Sequence, residues 1–444
     1  MKKRNCFILI CTILLAVLSG CSDKEQQRME ADKDINMIVA SDLHYLTESL
    51  TDHGPAYQKY SANGDGRLMD YIEPLIDAFC YDVSKQEPDI LILSGDLTNN
   101  GEKESHLALA EKLKALEDTA GTKVYVIPGN HDILNPWARG FSGDKQYVTD
   151  SVDAKEFKTI YEEFGYEEAI SRDRESLSYL ASPSEKVWLL MLDTNEYRLN
   201  EELGIPTTNG ELREGTLEWI KKCSKLAKEK GAKIITVMHH NLLKHSGRIY
   251  YGYTLDNSQE VIKQLQECGI HLVLSGHLHI QDIRSEGENE DTIYDIATGA
   301  LIIYPQHYAK LTYQAADQGL DYSTASVDVD RWAKDKGIKD ENLTDFSEYS
   351  RKNFYDRAYQ RAYQGLTELG TYSEEDCKAM AETMALLNIN YFGGTAVSVK
   401  EEVMNSKGYK LWSLTEEPEF MKSYILSMIP RKDTDHNRLH ITLK

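Results

Sequence analysis

Five short stretches carry side chains able to do metal chemistry: Asp42-Leu43-His44, Gly95-Asp96-Leu97-Thr98-Asn99-Asn100-Gly101, Gly129-Asn130-His131-Asp132, His239-His240-Asn241 and Gly276-His277-Leu278-His279. They hold six of the chain's 13 histidines and no cysteine. Imidazole and carboxylate together suit Zn, Fe, Mn and similar divalent or trivalent ions. A D-x-H or H-x-H pair just past a strand turns both side chains toward one ion once the backbone leaves the pleat. Glycines at 95, 129 and 276 allow sharp turns and close approach. One isolated D-x-H carries little weight; five such stretches in register with strands carry much.

The elements that must position them read as alternating strands and helices. Strands are expected at Ile35–Ala40, Asp89–Leu93, Val124–Ile127, Val187–Leu192, Ile234–Met238 and Leu272–Leu274. Helices are expected at Arg67–Gln86, Glu102–Glu117, near Thr216–Glu229 and near Ser258–Glu267. Such alternation predicts βαβ units and a largely parallel sheet covered by helices. Ligand sites on such sheets lie at the carboxyl ends of strands, and each of the five stretches follows a predicted strand.

With these motifs in their order, the chain resembles the calcineurin-like metallophosphoesterases from about Asn36 to about Trp332. The spelling Ser94-Gly95-Asp96-Leu97-Thr98 is most similar to their bacterial cyclic-nucleotide-phosphodiesterase-like branch. The resemblance implies an α/β fold, a four-layer α/β/β/α sandwich, with two metal ions (Mn, Fe or Zn) at its rim. It implies Asp42, His44, Asp96 and His279 as ligands of the first ion. Asp96 bridges to the second, which Asn130, His239 and His277 complete. His131 then stands free of the ions as general acid, and an ion-bound hydroxide attacks a phosphodiester or phosphomonoester. His239 is preferred to His240 because it follows the strand residue Met238 directly.

Two positions depart from the family pattern. Asn99 stands where an Asp often orients the catalytic His; an amide holds an imidazole but supports its cation poorly, and Asp132 is the candidate to compensate. Asn241 stands where many members have Pro. His245 reads as a substrate-phosphate contact or a surface-loop histidine. His307 lies in a stretch resembling a segment that closes the site and is the second candidate substrate contact. His53 and His106 read as surface residues. The long stretch 136–184 is expected to form a helical lid or rim that sets substrate size, with a merely decorated surface as the alternative.

At 444 residues the chain is long enough for two to three domains. Fifty basic against 72 acidic residues give a formal charge of −22, which disfavours a stable nucleic-acid partner. Lys2, Lys3 and Arg4, the apolar run Phe7–Leu18 and Leu18-Ser19-Gly20-Cys21 resemble a lipoprotein signal, with Cys21 lipidated; a plain secretory signal is the alternative. Twelve apolar residues are too few to span a bilayer, which needs about 20. The expected organisation is a signal at 1–20, a flexible tether at 21–34, a catalytic domain at 35–335 and a small α-helical domain at 336–444. Within the last, Phe354, Ala358, Ala362 and Leu366 recur at helical spacing, its tyrosines read as packing, and Leu320–Trp332 reads as a strand finishing the catalytic sheet. Of the cysteines beyond Cys21, Cys80 reads as a buried thiol. The expected product is an exported, membrane-anchored phosphoesterase acting on a small phosphoester, its oligomeric state open. The alternative is a metal-binding surface lipoprotein without turnover.

Overall fold

Alternation of apolar side chains sets the layers. In the strand Val187–Leu192, Val187, Leu189 and Met191 join one hydrophobic cluster, while Trp188, Leu190 and Leu192 join another. The computed structural model describes residues 28–64 and 66–443; the expected signal and Cys21 lie outside them. One six-stranded sheet runs in the order Arg438–Thr442, Gly319–Ser326, His307–Gln314, Ile35–Ala40, Ile90–Ser94, Lys123–Ile127. The second, seven-stranded, runs Asp282–Glu286, Ile293–Ala297, Leu272–Ser275, Lys233–Met238, Val187–Leu192, Tyr179–Ala181, Ser171–Arg172. In the first sheet the last three strands are parallel and the other pairings antiparallel; in the second the centre is parallel and both edges are antiparallel.

Helices Ile72–Gln86 and Lys103–Ala120 bury Leu75, Ile76, Leu109 and Leu113 in the cluster of the first sheet. Helices Glu214–Lys230 and Ser258–Cys268 bury Leu217, Ile220, Val261 and Leu265 against the second. The result is the four-layer α/β/β/α architecture. The first of these helices starts later than the sequence suggests. A short 3₁₀ turn at Met69–Tyr71 precedes Ile72, and Arg67 stays in a loop whose Leu68 N–H donates to the Ile302 carbonyl at 3.1 Å.

Three expectations change. Residues 136–184 are only partly helical: the helix Ala154–Ile160, capped by Asp153, lies between the hairpin of Arg139–Ser142 with Lys145–Val148 and the pair Ser171–Arg172 with Tyr179–Ala181, which builds the edge of the second sheet. At the tether, residue Met29 is already fixed, its N–H donating to the Pro183 carbonyl and its carbonyl accepting from Glu185, both at 3.0 Å. The strand Gly319–Ser326 ends before the helix Val329–Asp335, which Asp328 caps by accepting from the Arg331 N–H.

Beyond it, helices Phe346–Leu369, Glu374–Phe392, Ala396–Asn405, Lys407–Leu414 and Glu419–Ser427 enclose a core of their own around Ala362, Met380, Met384, Trp412 and Ile425. Phe354, Ala358, Ala362 and Leu366 are buried on one face of the long helix. The segment is not helical throughout, because Arg438–Thr442 returns to pair antiparallel with Gly319–Ser323 of the catalytic sheet. Cys80, Cys223, Cys268 and Cys377 are free thiols, Cys80 only partly buried.

Candidate metal centre

Each of the five stretches leaves a strand of one of the two sheets, and the two sheets bring them together at one end. Asp42 and His44 follow Ile35–Ala40, Asp96 follows Ile90–Ser94, Asn130 and His131 follow Lys123–Ile127. From the other sheet, His239 follows Lys233–Met238, and His277 and His279 follow Leu272–Ser275. Five of these residues lie in the left-handed backbone region: Asp42 (φ 55°), His44 (45°), Asp96 (48°), His277 (66°) and His279 (63°). That conformation is uncommon for residues bearing a Cβ and swings the side chain out of the pleat.

Close backbone approach finishes the arrangement. A Cβ at Gly129 would stand 2.2 Å from both the Asp96 nitrogen and its carboxylate; one at Gly276 would stand 1.8 Å from Ser41 Oγ and 2.7 Å from Asp42 Oδ2. The glycines thus make room for the ligands.

Two donor groups result. Asp42, His44, Asp96 and His279 each offer an atom within 4.8 Å of the others, and so do Asp96, His239 and His277. Asp96 belongs to both, and Asn130 Oδ1 lies 3.2 Å from His239 Nε2, beside the second. The ring nitrogens are sorted by carbonyls: His239 Nδ1–H donates to Ser94 O at 3.0 Å and His277 Nε2–H to Gly252 O at 2.9 Å. That leaves His239 Nε2 and His277 Nδ1 as lone-pair donors.

Electrostatics favours cations here. Burial alone would raise the Asp96 carboxyl, but His239 and His131 hold it well below the usual carboxylate range. Burial pushes His44 well down and His277 down to about 3. Burial opposes charge on His239 too, yet Asp96 outweighs it and lifts the ring to about 9. His44 Nε2 and His279 Nε2 stand 3.1 Å apart, a separation that needs a shared proton or cation, and His44 Nδ1 is buried without a partner. The donor set fits two ions of the Mn, Fe or Zn type.

The other candidates fall in different places. His240 is no alternative ligand, since Nδ1 meets Thr194 Oγ1 at 2.7 Å and Nε2 donates to Thr208 O at 2.9 Å. His131 stands beside the centre, its ring 4.8 Å from that of His44 in a T-shaped contact. The side chain of Asn99 does not hold it: His131 Nδ1–H donates to the Asn99 main-chain carbonyl at 2.7 Å, with Asn100 Oδ1 3.1 Å away. The Asn99 amide instead pairs with Tyr60 and Glu102. Asp132 does not compensate either, because its carboxylate accepts from the N–H groups of Leu97, Thr98 and Gly129 at 2.8–3.0 Å, tying two motif loops together.

His245 is neither a surface histidine nor a substrate contact. It is buried, with Nδ1 2.9 Å from Asp282 and Nε2 3.0 Å from Asp295. His307 is buried beside Gly299, its Nδ1 unpartnered, and hydrogen-bonds to no residue of the centre. His106, expected at the surface, is buried between Thr98, Asp132 and Tyr161. His53 is exposed against Glu48. Asn241 earns its place where Pro was expected: its amide donates to Ser275 Oγ at 2.9 Å and Gly276 O at 3.0 Å, joining the His239 and His277 loops. Sequence reasoning missed Asn100, although it adjoins Asn99, and missed Asp295, which carries no local motif.

Comparison with known proteins gives two family matches. The profile of the calcineurin-like phosphoesterases matches residues 35–281, and that of the C-terminal domain of cyclic nucleotide phosphodiesterase matches residues 328–435. A protein of Arcobacter nitrofigilis named probable glycerophosphodiester phosphodiesterase is 40% identical over 57 residues, which is 13% of this chain and 19% of that relative. A dimetal phosphatase of Danio rerio is similar in structure over 65% of this chain and 95% of its own, at 12% identity and a TM-score of 0.45. PhoD is similar over 65% of both chains, at 13% identity and a TM-score of 0.38.

Proposed function

Because the chain belongs to the calcineurin-like phosphoesterase family, we propose that it is a metal-dependent hydrolase of a small phosphoester. The observation that carries this reading is Asp96, one buried carboxylate common to two donor groups. Cations held there supply charge neutralisation of phosphoryl oxygens and acidify water near neutral pH.

The chain's own residues do the rest. Asp42, His44 and His279 on one side, and Asn130, His239 and His277 on the other, orient around Asp96, with the Ser94 and Gly252 carbonyls fixing two of the rings. His131 is the general acid: its Nδ1–H is committed to the Asn99 carbonyl, so Nε2 is the nitrogen that carries a proton to the leaving oxygen, a role worth about 10²–10⁴ in rate. The match to the C-terminal domain of cyclic nucleotide phosphodiesterase and the glycerophosphodiester relative support a diester in preference to a monoester. The sequence Leu18-Ser19-Gly20-Cys21 supports export with a lipid on Cys21, which would present the site to extracytoplasmic phosphoesters.

Protein beginning at Ser22 and supplied with Mn or Fe is expected to retain two ions per chain and to hydrolyse bis-p-nitrophenyl phosphate. Asp96→Ala is expected to lose both ions and all turnover. Two ions retained without turnover of either this diester or p-nitrophenyl phosphate would overturn the hydrolase in favour of a binding module.

A further inference from the structure

Arg67 is a half-buried cation without a carboxylate partner among the described residues. Its Nε donates to the Gly64 carbonyl at 3.3 Å, and no described group takes its terminal nitrogens. A guanidinium held back from water without a counter-charge costs free energy unless a ligand supplies the anion.

Backbone contacts locate it. The Leu68 N–H donates to Ile302 O, Leu301 donates to Ser41 O at 3.0 Å, and Ala300 donates to His279 O at 3.4 Å. The loop of Arg67 is therefore one layer of chain away from Asp42 and His279. On its other flank, the helix Pro55–Ala62 sends Tyr60 Oη to Asn99 Oδ1 at 2.9 Å, and the Asn100 amide donates back to Tyr60 Oη at 3.3 Å. The same Asn99 and Asn100 hold His131.

The C-terminal helix Phe346–Leu369 braces this loop. Gly66 is left-handed (φ 92°), and a Cβ there would stand 2.7 Å from the Phe354 ring. The Arg357 guanidinium donates to Ala62 O at 3.3 Å and Ser61 O at 3.5 Å.

The geometry points to Arg67 as a phosphate-binding residue, its guanidinium engaging a phosphoryl oxygen of the substrate beside the two donor groups, with the C-terminal helix setting its reach. This rests on the phosphoester reading above and gives the helical segment a part in substrate binding.

The test uses the metal-loaded chain from Ser22 and inorganic phosphate, with affinity read by calorimetry and metal content by elemental analysis. Arg67→Ala is expected to keep both ions and weaken phosphate binding about 10- to 100-fold. Arg67→Lys is expected to recover part of that loss, since an ammonium keeps the charge without the fork. Phe354→Leu, with the guanidinium intact, is expected to weaken phosphate binding with unchanged metal content. Arg67→Ala protein that keeps both ions and binds phosphate within twofold of wild type overturns the assignment alone. Wild-type protein that retains both ions but binds no phosphate overturns the phosphoester reading, and this assignment with it.

Discussion

Left-handed backbone at five of the seven candidate ligands sets the character of the site at the residue scale. Such positions cost of order 1–3 kcal/mol each and persist only where the surroundings over-determine them. Here the surroundings are visible: the Asp96 backbone and carboxylate lie against Gly129, and Asp42 accepts from the His277 N–H at 3.0 Å. His131 belongs to the same scale. His131→Ala is expected to slow alkyl phosphoesters about 10²–10⁴-fold while sparing activated aryl esters, whose leaving groups need no proton; equal losses in the two kcat values would sink the acid role. The ligand types were legible in the text because each motif follows its strand and keeps its glycine. What holds His131 was not, since a main-chain carbonyl leaves no mark on residue type. The burial of His245 was equally hidden: six positions past His239, nothing local tells a loop tip from a loop folded beneath the sheet.

At the scale of elements, Asp295 on the strand Ile293–Ala297 organises the loop after His239. One of its oxygens accepts from the N–H groups of Leu242 and Leu243 at 2.7 Å and faces His245 Nε2, while the other accepts from Ser275 Oγ at 2.8 Å. Asp282 faces the other nitrogen of His245, and Arg284 and His436 close the cluster. Burial works against a charged His245, but Asp295 and Asp282 outweigh it and lift the ring to about 9. A raised histidine stabilises the fold fully below its unfolded value, near 6.5, and that contribution is lost as pH climbs to 9. Asp282 is opposite in sign. His245 and His436 overcome the cost of its burial and hold it below its ordinary value, so its contribution disappears in acid. Thermal melts from pH 6.5 to 9 are expected to show wild type losing up to about 3 kcal/mol that His245→Gln does not lose; parallel curves would exclude the charged histidine. Long central strands and amphipathic helices were readable from period alone. Edge strands such as Ser171–Arg172 and Arg438–Thr442 were not, being short and largely exposed.

On the scale of the whole molecule, helices and sheets are joined by the loop of Arg67, by the His245 cluster and by the strand Arg438–Thr442. The anchor is testable at this scale as well: Cys21→Ala is expected to move the protein from the membrane fraction to the soluble extracytoplasmic one, and unchanged membrane association would rule out lipidation there. The change from alternating to helical text was legible, and helices follow from Val329 onward. The return of residues 438–442 was not, because pairing with Gly319–Ser323 joins segments more than a hundred positions apart.

That returning strand has a consequence for biosynthesis. Until residues 438–442 emerge from the ribosome, the neighbouring strand Gly319–Ser326 presents unpaired amides along one side. The catalytic sheet therefore cannot complete its six-strand order ahead of the helices that separate Gly319–Ser326 from its last strand. A prematurely terminated product would expose that open margin and mark itself for proteolysis.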